Sequence, residues 1–111
     1  VKAGQVSMDM ASTLDVFPTV AAAAGAEMPA DRVYDGFDLM PLLRDGAKSP
    51  RDTFYYVRGG FVEGVREGAW KYRFAQEVSE AGVSKVPPVP ELFHLDWDPS
   101  EMYNVYERNK A

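Results

Sequence analysis

The stretch 61–74, FVEGVREGAWKYRF, restricts the fold more than any other part of the sequence. Aromatic and β-branched residues flank a Glu-Gly pair at 67–68, and glycine supplies the positive φ that tight hairpin turns need. Trp70, Tyr72 and Phe74 are two residues apart, so they share one face of a strand. The stretch therefore predicts a β-hairpin, which needs further elements around it to be stable in water.

The register of this hairpin has two alternatives. If 67–68 form a two-residue loop, Val65 lies opposite Trp70. If the glycine is instead the bulge of a three-residue loop, Glu63 lies opposite Lys71. The second register is favoured, because opposite charges across two strands stabilise a hairpin by about a few tenths of a kcal/mol.

Apolar residues at helical spacing predict a helix over 13–24. Ser12 and Asp15 have the spacing of a capping box at its start, and Gly25 stands where a terminating glycine is expected. A proline in the first turns is tolerated there, because few backbone hydrogen bonds are lost. The recurring apolar residues are Leu14, Phe17, Val20, Ala21 and Ala24.

Further elements follow from capping residues and β-propensity. A short helix over 38–43 begins with an aspartate, and Gly46 ends it. Strands are predicted at 53–57 and 91–95. We expect these two strands, and a following helix that this chain largely lacks, to cover the aromatic row of the hairpin.

Three segments have weaker patterns. Residues 1–10 predict a loop that leads into a short strand around 5–10, and 102–111 predict either the start of a helix or a tail. The segment 75–90 is a long, proline-rich loop of the kind that is usually functional or mobile. The predicted elements are one or two helices followed by three to four antiparallel strands, which is an α+β pattern.

Bulk properties exclude several classes of protein. A chain of 111 residues forms one domain at most, and its net charge of −5 argues against nucleic-acid or anionic-membrane partners. The absence of cysteine removes disulfides, thiolate metal sites and a cysteine nucleophile. No stretch is long and apolar enough to predict a membrane span, and the first residues do not resemble a signal peptide. Both ends of the sequence suggest a piece of a longer protein.

Charged clusters offer candidate sites, and each has a structural interpretation. The first cluster of acidic residues matches no EF-hand spacing, and capping explains part of it. The second crowds one turn that an Asx-type hydrogen bond explains. A third, basic cluster is interpreted as a solvated strand face rather than an anion site. The clusters are Asp9, Asp15, Asp31, Asp35 and Asp38; Asp96, Asp98 and Glu101; and Arg66, Lys71 and Arg73.

His94 is the single histidine, and it lies in a predicted strand with no serine or cysteine nucleophile motif nearby. A general base needs a partner within hydrogen-bond reach, so His94 is a poor catalytic candidate. We therefore predict no catalytic, cofactor-binding or metal-binding residue in this chain.

Five motifs occur in a fixed order over nearly the whole chain. A helix motif, D-hydrophobic-hydrophobic-P-T…A-G, starts at Asp15, and a DG-x-(D/S)-L-x-P-L-L segment starts at Asp35. Residues 49–56 lead into the sheet, and 65–71 read (A/V)R-x-G-x-(W/Y)K. Residues 91–104 resemble E-L-Y-(D/N)-L-x-x-D-P-x-E-x-x-N, with Phe93 in place of the Tyr and His94 in place of the Asp or Asn. Together these motifs resemble the C-terminal region of arylsulfatases, members of the alkaline-phosphatase-like superfamily.

The resemblance implies a division of the chain and a parent enzyme. Residues 1–46 would be the last helix and linker of a large α/β domain, and 47–111 a C-terminal antiparallel-sheet subdomain. The parent would hydrolyse sulfate esters with calcium and a formylglycine residue, both in an N-terminal domain that is the partner of this region. Ser49 is followed directly by proline, so it does not match the Cys/Ser-x-Pro-x-Arg motif that carries the nucleophile. A periplasmic or secreted parent is expected on the same resemblance.

Three expectations follow for the chain by itself. The 111-residue chain should have no sulfatase activity, and it should self-associate because the helix over 13–24 lacks its large-domain partner. The loop at 75–90 should shape the mouth of the parent's substrate pocket. Two alternatives stay open: a self-contained module that binds a small molecule or a protein, and the C-terminal part of a related phosphomonoester or phosphonate hydrolase.

Overall fold

A computed structural model describes residues 1–74 and 89–110, and the chain forms two compact units, Val1–Asp52 and Thr53–Ala111. The helices lie in the first unit and a four-stranded antiparallel sheet in the second, so the predicted α+β class is confirmed. The predicted loop at 75–90 lies outside the described residues, apart from its last two positions. In the described ranges, none of the helices has the length and apolar character needed to cross a membrane.

The predicted helix over 13–24 is confirmed as a 3-10 turn, Thr13–Asp15, that continues into helix α1, Val16–Ala23. The capping box forms as predicted: the Ser12 amide donates to the Asp15 carboxylate at 2.7 Å, and the Ser12 hydroxyl accepts a backbone N–H. Gly25 has a φ of 68° and directly follows the last residues of the helix. The left-handed region is where glycine is favoured, which explains why the helix stops there.

Helix α2 spans Met40–Asp45, two residues later than the sequence predicts. The Asp38 carboxylate accepts the Met40 amide at 2.8 Å, so this residue caps the helix from outside it. Gly46, at a φ of 69°, ends the helix as predicted. The strand expected around 5–10 is wrong: in the described part of the chain the first strand begins at Thr53.

The sheet of the second unit is a simple meander in which each strand pairs with the next along the chain. The predicted strands at 53–57 and 91–95 are confirmed to within one residue, and the hairpin at 61–74 supplies the other two. The strands are β1 Thr53–Arg58, β2 Phe61–Glu67, β3 Trp70–Arg73 and β4 Glu91–His94.

The hairpin has neither of the two predicted registers. Glu67 pairs with Trp70, so the loop is Gly68-Ala69, and Lys71 lies opposite Arg66 rather than opposite Glu63. Gly68 has a φ of 53°, whereas Ala69 has no positive φ. A two-residue loop with glycine at its first position has the type II′ pattern, which matches the twist of the flanking strands. Turn geometry therefore outweighs the cross-strand charge pair that favoured the three-residue loop.

The predicted row of aromatic side chains along β3 is confirmed, but strands β1 and β4 do not pack over it as predicted. The Tyr72 and Phe74 rings meet edge to face, with centroids 4.9 Å apart. Strands β1 and β4 lie beside the hairpin in the same sheet instead of covering its face. Tyr106, in a final 3-10 turn at Tyr106–Asn109, contacts Tyr72 at 5.9 Å. Among the described residues that follow the sheet, Tyr106 thus contributes to the cover of Tyr72.

Candidate functional site

A buried ion pair is the most highly connected charged group in the first unit. The Arg51 guanidinium donates to both oxygens of the Asp15 carboxylate, with its Nε 3.0 Å from Oδ2 and its Nη2 bound to Oδ1. Asp15 is fully buried and Arg51 nearly so. The carboxylate also accepts the backbone N–H of Phe37 at 2.9 Å, in addition to that of Ser12. Asp15 therefore joins the start of α1 to two segments far away in the sequence.

The groups around Asp15 favour the ionised form of its carboxyl group. The hydrogen bond from Arg51, opposed by desolvation and helped by the two backbone N–H donors, lowers the pKa of Asp15 from 3.8 to about 2. The Arg51 guanidinium in turn has its pKa raised by the same carboxylate. A carboxylate whose oxygens are fully engaged by fixed donors is suited to holding structure rather than to transferring protons.

The Asp-Gly segment at 35–36 packs directly against the start of α1. A Cβ on Gly36 would lie 2.0 Å from the Leu14 carbonyl oxygen, so only glycine allows this backbone approach. The Asp35 carbonyl accepts Arg51 Nη2 at 2.8 Å. Thr19 completes the contact, because its hydroxyl accepts the Leu39 amide at 3.0 Å and donates to the Asp15 carbonyl. The first two sequence motifs are thus two sides of one packed junction.

Sequence reasoning assigned Asp15 a capping role only and missed its pairing with Arg51. The two residues are 36 positions apart, and no periodicity connects them. The sequence does contain one indication of this contact. Asp15 is the first residue of the helix motif, and Arg51 is the third residue of the 49–56 segment. Residues that recur in separate motifs of one region are candidates for a shared contact.

A second candidate is a group of charged side chains on one face of the sheet. It surrounds an open cavity of about 210 Å³. The Lys71 ammonium binds Glu101 at 2.6 Å and lies 4.5 Å from the centre of the Tyr56 ring. Its side chain is only 15% exposed. The interpretation of the basic cluster as a solvated face is therefore wrong for Lys71, which is held between a carboxylate and an aromatic ring.

The other cations at this cavity are also paired. Arg73 binds Glu91 at 2.7 Å, and Arg58 binds Glu63 at 3.2 Å. Three carboxylates thus face three basic groups, which leaves no excess positive charge to attract an anion. The geometry favours a network that holds neighbouring strands together.

Three further aspartates make hydrogen bonds or ion pairs with residues close to them in the sequence. The Asp98 carboxylate accepts the amides of Met102 at 3.0 Å and Tyr103 at 2.8 Å, so Asp98 has a local structural role. These bonds reach four and five residues on, whereas the predicted Asx-type turn would bond the residue two positions on. Asp31 binds the neighbouring Arg32, and Asp9 accepts the Ser7 hydroxyl. Across residues 1–74 and 89–110, no group of three or more His, Cys, Asp or Glu side chains could hold a metal ion.

His94 lies between two indole rings. It stacks on Trp97 with ring centroids 3.8 Å apart, and Trp70 meets its edge at 4.5 Å. Its Nδ1 is buried without a hydrogen-bond partner in the described residues. These aromatic contacts explain the histidine as a packing element of β4. That no residue of this chain is catalytic or binds a cofactor stays a prediction.

Comparison with known proteins gives a consistent set of relatives. The chain is 37% identical to arylsulfatase A from Bos taurus over 121 aligned residues, which cover 92% of this chain and 23% of that protein. It is 41% identical to the steryl-sulfatase of Mus musculus, over 73% of this chain and 14% of that protein. The N-acetylgalactosamine-6-sulfatase of Sus scrofa is 33% identical over 93% of this chain and 24% of its own length. No family model matches the sequence.

A solved structure supports the fold independently. It is a chain described under the metabolism of multiple glycosaminoglycans by Bacteroides thetaiotaomicron. It superposes with a TM-score of 0.61 at 22% identity, covering 85% of this chain and 21% of that one. Against both kinds of comparison, the chain spans about a quarter or less of the length of its relatives.

Proposed function

We propose that this chain is the structural subdomain of an enzyme that hydrolyses sulfate esters. The chain belongs to the sulfatase family and corresponds to the C-terminal region of its members. The observation that carries the proposal is the 37% identity to arylsulfatase A over 92% of the chain. Relatives named for steryl and for N-acetylgalactosamine-6-sulfate groups match this region at similar identity, so the proposal extends to the ester class and no further.

The exposed apolar side chains of the first helix support the proposal that this region packs on another domain of the same protein. Helix α1 buries Pro18 and turns the apolar side chains of Val16, Phe17 and Val20 outward, each between 57% and 59% exposed. A helix normally directs its apolar side inward, so this reversed arrangement suits a helix that packs on a further layer of protein. We assign 1–46 to the edge of the large sulfatase domain and 47–111 to the subdomain that follows it.

The catalytic centre is assigned to the N-terminal domain of the parent. The sequence has no cysteine, and Ser49 lies outside the motif that carries the family's nucleophile. The acidic side chains of the described residues form no metal-binding group, so calcium does not fit the part of the chain that the structure describes. The calcium and the formylglycine that the family resemblance implies are therefore expected upstream, with the subdomain bracing that domain.

The test compares two purified proteins, the full-length product of the gene and the 111-residue chain, on an aryl sulfate and on an aryl phosphate. We expect the full-length protein to hydrolyse the sulfate and the 111-residue chain to hydrolyse neither. Hydrolysis of the phosphate alone by the full-length protein would support a phosphomonoester hydrolase instead. A reading frame without an upstream Cys/Ser-x-Pro-x-Arg motif, together with an inactive full-length protein, would support the self-contained binding module.

A further inference from the structure

One turn in the second unit carries three large apolar side chains in solvent. Trp97 is 81% exposed, and Met102 and Tyr103 are each 73% exposed. We call residues 97–103 the capped turn. Single exposed apolar residues are ordinary on protein surfaces, but several on one short segment indicate a contact surface.

The capped turn is held in one conformation by internal hydrogen bonds. The Asp98 carboxylate accepts the amides of both Met102 and Tyr103, and the Asp98 carbonyl accepts the Glu101 amide at 3.1 Å. Glu101 has a φ of 55°, the one positive value at a non-glycine residue in the described part of the chain. Its carboxylate binds Lys71 at 2.6 Å. A side chain in the left-handed region persists only where its surroundings fix it, so this backbone is rigid.

Both ends of the turn are attached to strand β4. On one side, Trp97 stacks on the His94 ring, and its amide donates to the His94 carbonyl at 3.1 Å. On the other, the Asn104 side chain accepts the Leu92 amide at 3.1 Å and donates to the Pro90 carbonyl. The exposed side chains of the turn are therefore presented from a fixed backbone on the edge of the sheet.

We infer that the capped turn is the surface of this subdomain on which the remaining, N-terminal part of the sulfatase chain packs. Trp, Tyr and Met are enriched at the cores of protein interfaces, and a rigid segment loses little conformational freedom on binding. The identity of the occupant rests on the proposed function. This chain spans 23% of the length of arylsulfatase A, which leaves about three quarters of such a protein to supply the opposite surface.

Linkage favours this occupant over a second copy of the chain. A second copy reaches the turn only by an intermolecular encounter, so its occupancy falls on dilution. A segment of the same polypeptide, in contrast, is held near the turn at a high effective concentration.

Met102 provides the test without any substitution. The full-length protein is treated with dilute hydrogen peroxide, and the sulfoxide at Met102 is followed by peptide mass spectrometry in the native protein and in denaturant. We expect Met102 in the native protein to oxidise roughly tenfold more slowly than in the unfolded chain, because oxidation follows exposure. Equal rates in the two states would overturn the inference, and protection that disappears on dilution would overturn it in favour of a second copy.

A pair of variants separates docking from general stability. Tyr103→Ser should raise the oxidation rate of native Met102, whereas Glu107→Ser, at a side chain that is 76% exposed, should leave it unchanged. An equal rise in both variants would contradict a specific contact at the turn. Sulfate ester hydrolysis is assayed on the same samples: an inactive protein that still protects Met102 would refute the proposed function and support the docking surface.

Discussion

The Arg51 guanidinium holds the Asp15 carboxylate through two parallel hydrogen bonds across 36 positions of sequence. Its Nη2 also binds the Asp35 carbonyl, so a single side chain joins three segments of the first unit. A buried pair of this kind adds little net stability compared with apolar packing, but breaking it leaves an uncompensated charge. The pair therefore fixes which segments meet more than it adds to the free energy of folding.

Removal of the guanidinium is the direct test of this role. Arg51→Ala should lower the free energy of unfolding by about 3–5 kcal/mol, because it leaves the buried carboxylate of Asp15 unpaired. The measurement is urea unfolding of the 111-residue chain. Arg32→Ala is the matched control, because Arg32 forms an ion pair with Asp31 on the surface and should leave the midpoint unchanged. Equal effects in both variants would show that the buried pair has no special role.

The pKa of Asp15 predicts an acid-dependent loss of stability. The folded-state pKa, about 2, lies below the ordinary value of 3.8, so the pair stabilises the fold fully above about pH 4. As the pH falls from about 4 towards 2, roughly 2 kcal/mol of stability should be lost, because one pKa unit corresponds to about 1.4 kcal/mol.

Urea midpoints measured between pH 2 and pH 6 give this profile. In Asp15→Asn the contribution of this carboxylate to the slope should disappear, whereas Asp9→Asn, at an exposed carboxylate, should keep it. A profile that is the same in wild type and Asp15→Asn would refute the assignment.

Gly36 is predicted to tolerate no side chain. Gly36→Ala would place a Cβ 2.0 Å from the Leu14 carbonyl oxygen and 2.8 Å from its carbon, and a backbone packed at a helix start cannot yield cheaply. We expect a loss of about 3 kcal/mol or more in the free energy of unfolding, at the upper end of overpacking costs. Gly25→Ala is the control that distinguishes a steric clash from backbone strain. Gly25 has a φ of 68°, but the space around it is open. This substitution should cost only about 1–2 kcal/mol, and an equal loss in both variants would mean that the close contact is unimportant.

Local signals in the sequence predicted the elements of this fold well. The capping box at Ser12, the terminating glycines at 25 and 46, and the aromatic alternation of the hairpin each act over a few residues. Their physical causes are hydrogen bonds and backbone preferences within one element, so a single sequence contains them. The family resemblance then supplied the relation of the region to a larger enzyme.

What the sequence did not predict involves contacts between distant segments. The Asp15–Arg51 pair and the Lys71–Glu101 pair join residues 36 and 30 positions apart, and only the folded backbone brings them together. The hairpin register was missed for a different reason. The prediction gave a cross-strand charge pair, which contributes about a few tenths of a kcal/mol, more weight than the preference of Gly68 for the first position of a type II′ loop.

The outward side of α1 predicts self-association of the chain in isolation. Phe17 and Val20 are more than half exposed, and apolar surface without a partner domain lowers its free energy by pairing with another copy. Light scattering over a range of concentrations should therefore detect dimers or larger species of the 111-residue chain. Val20→Lys should shift them towards monomer, whereas Val33→Lys, at a 93% exposed residue outside the helix, should leave the distribution unchanged. A chain that stays strictly monomeric at high concentration would show that this face needs no cover.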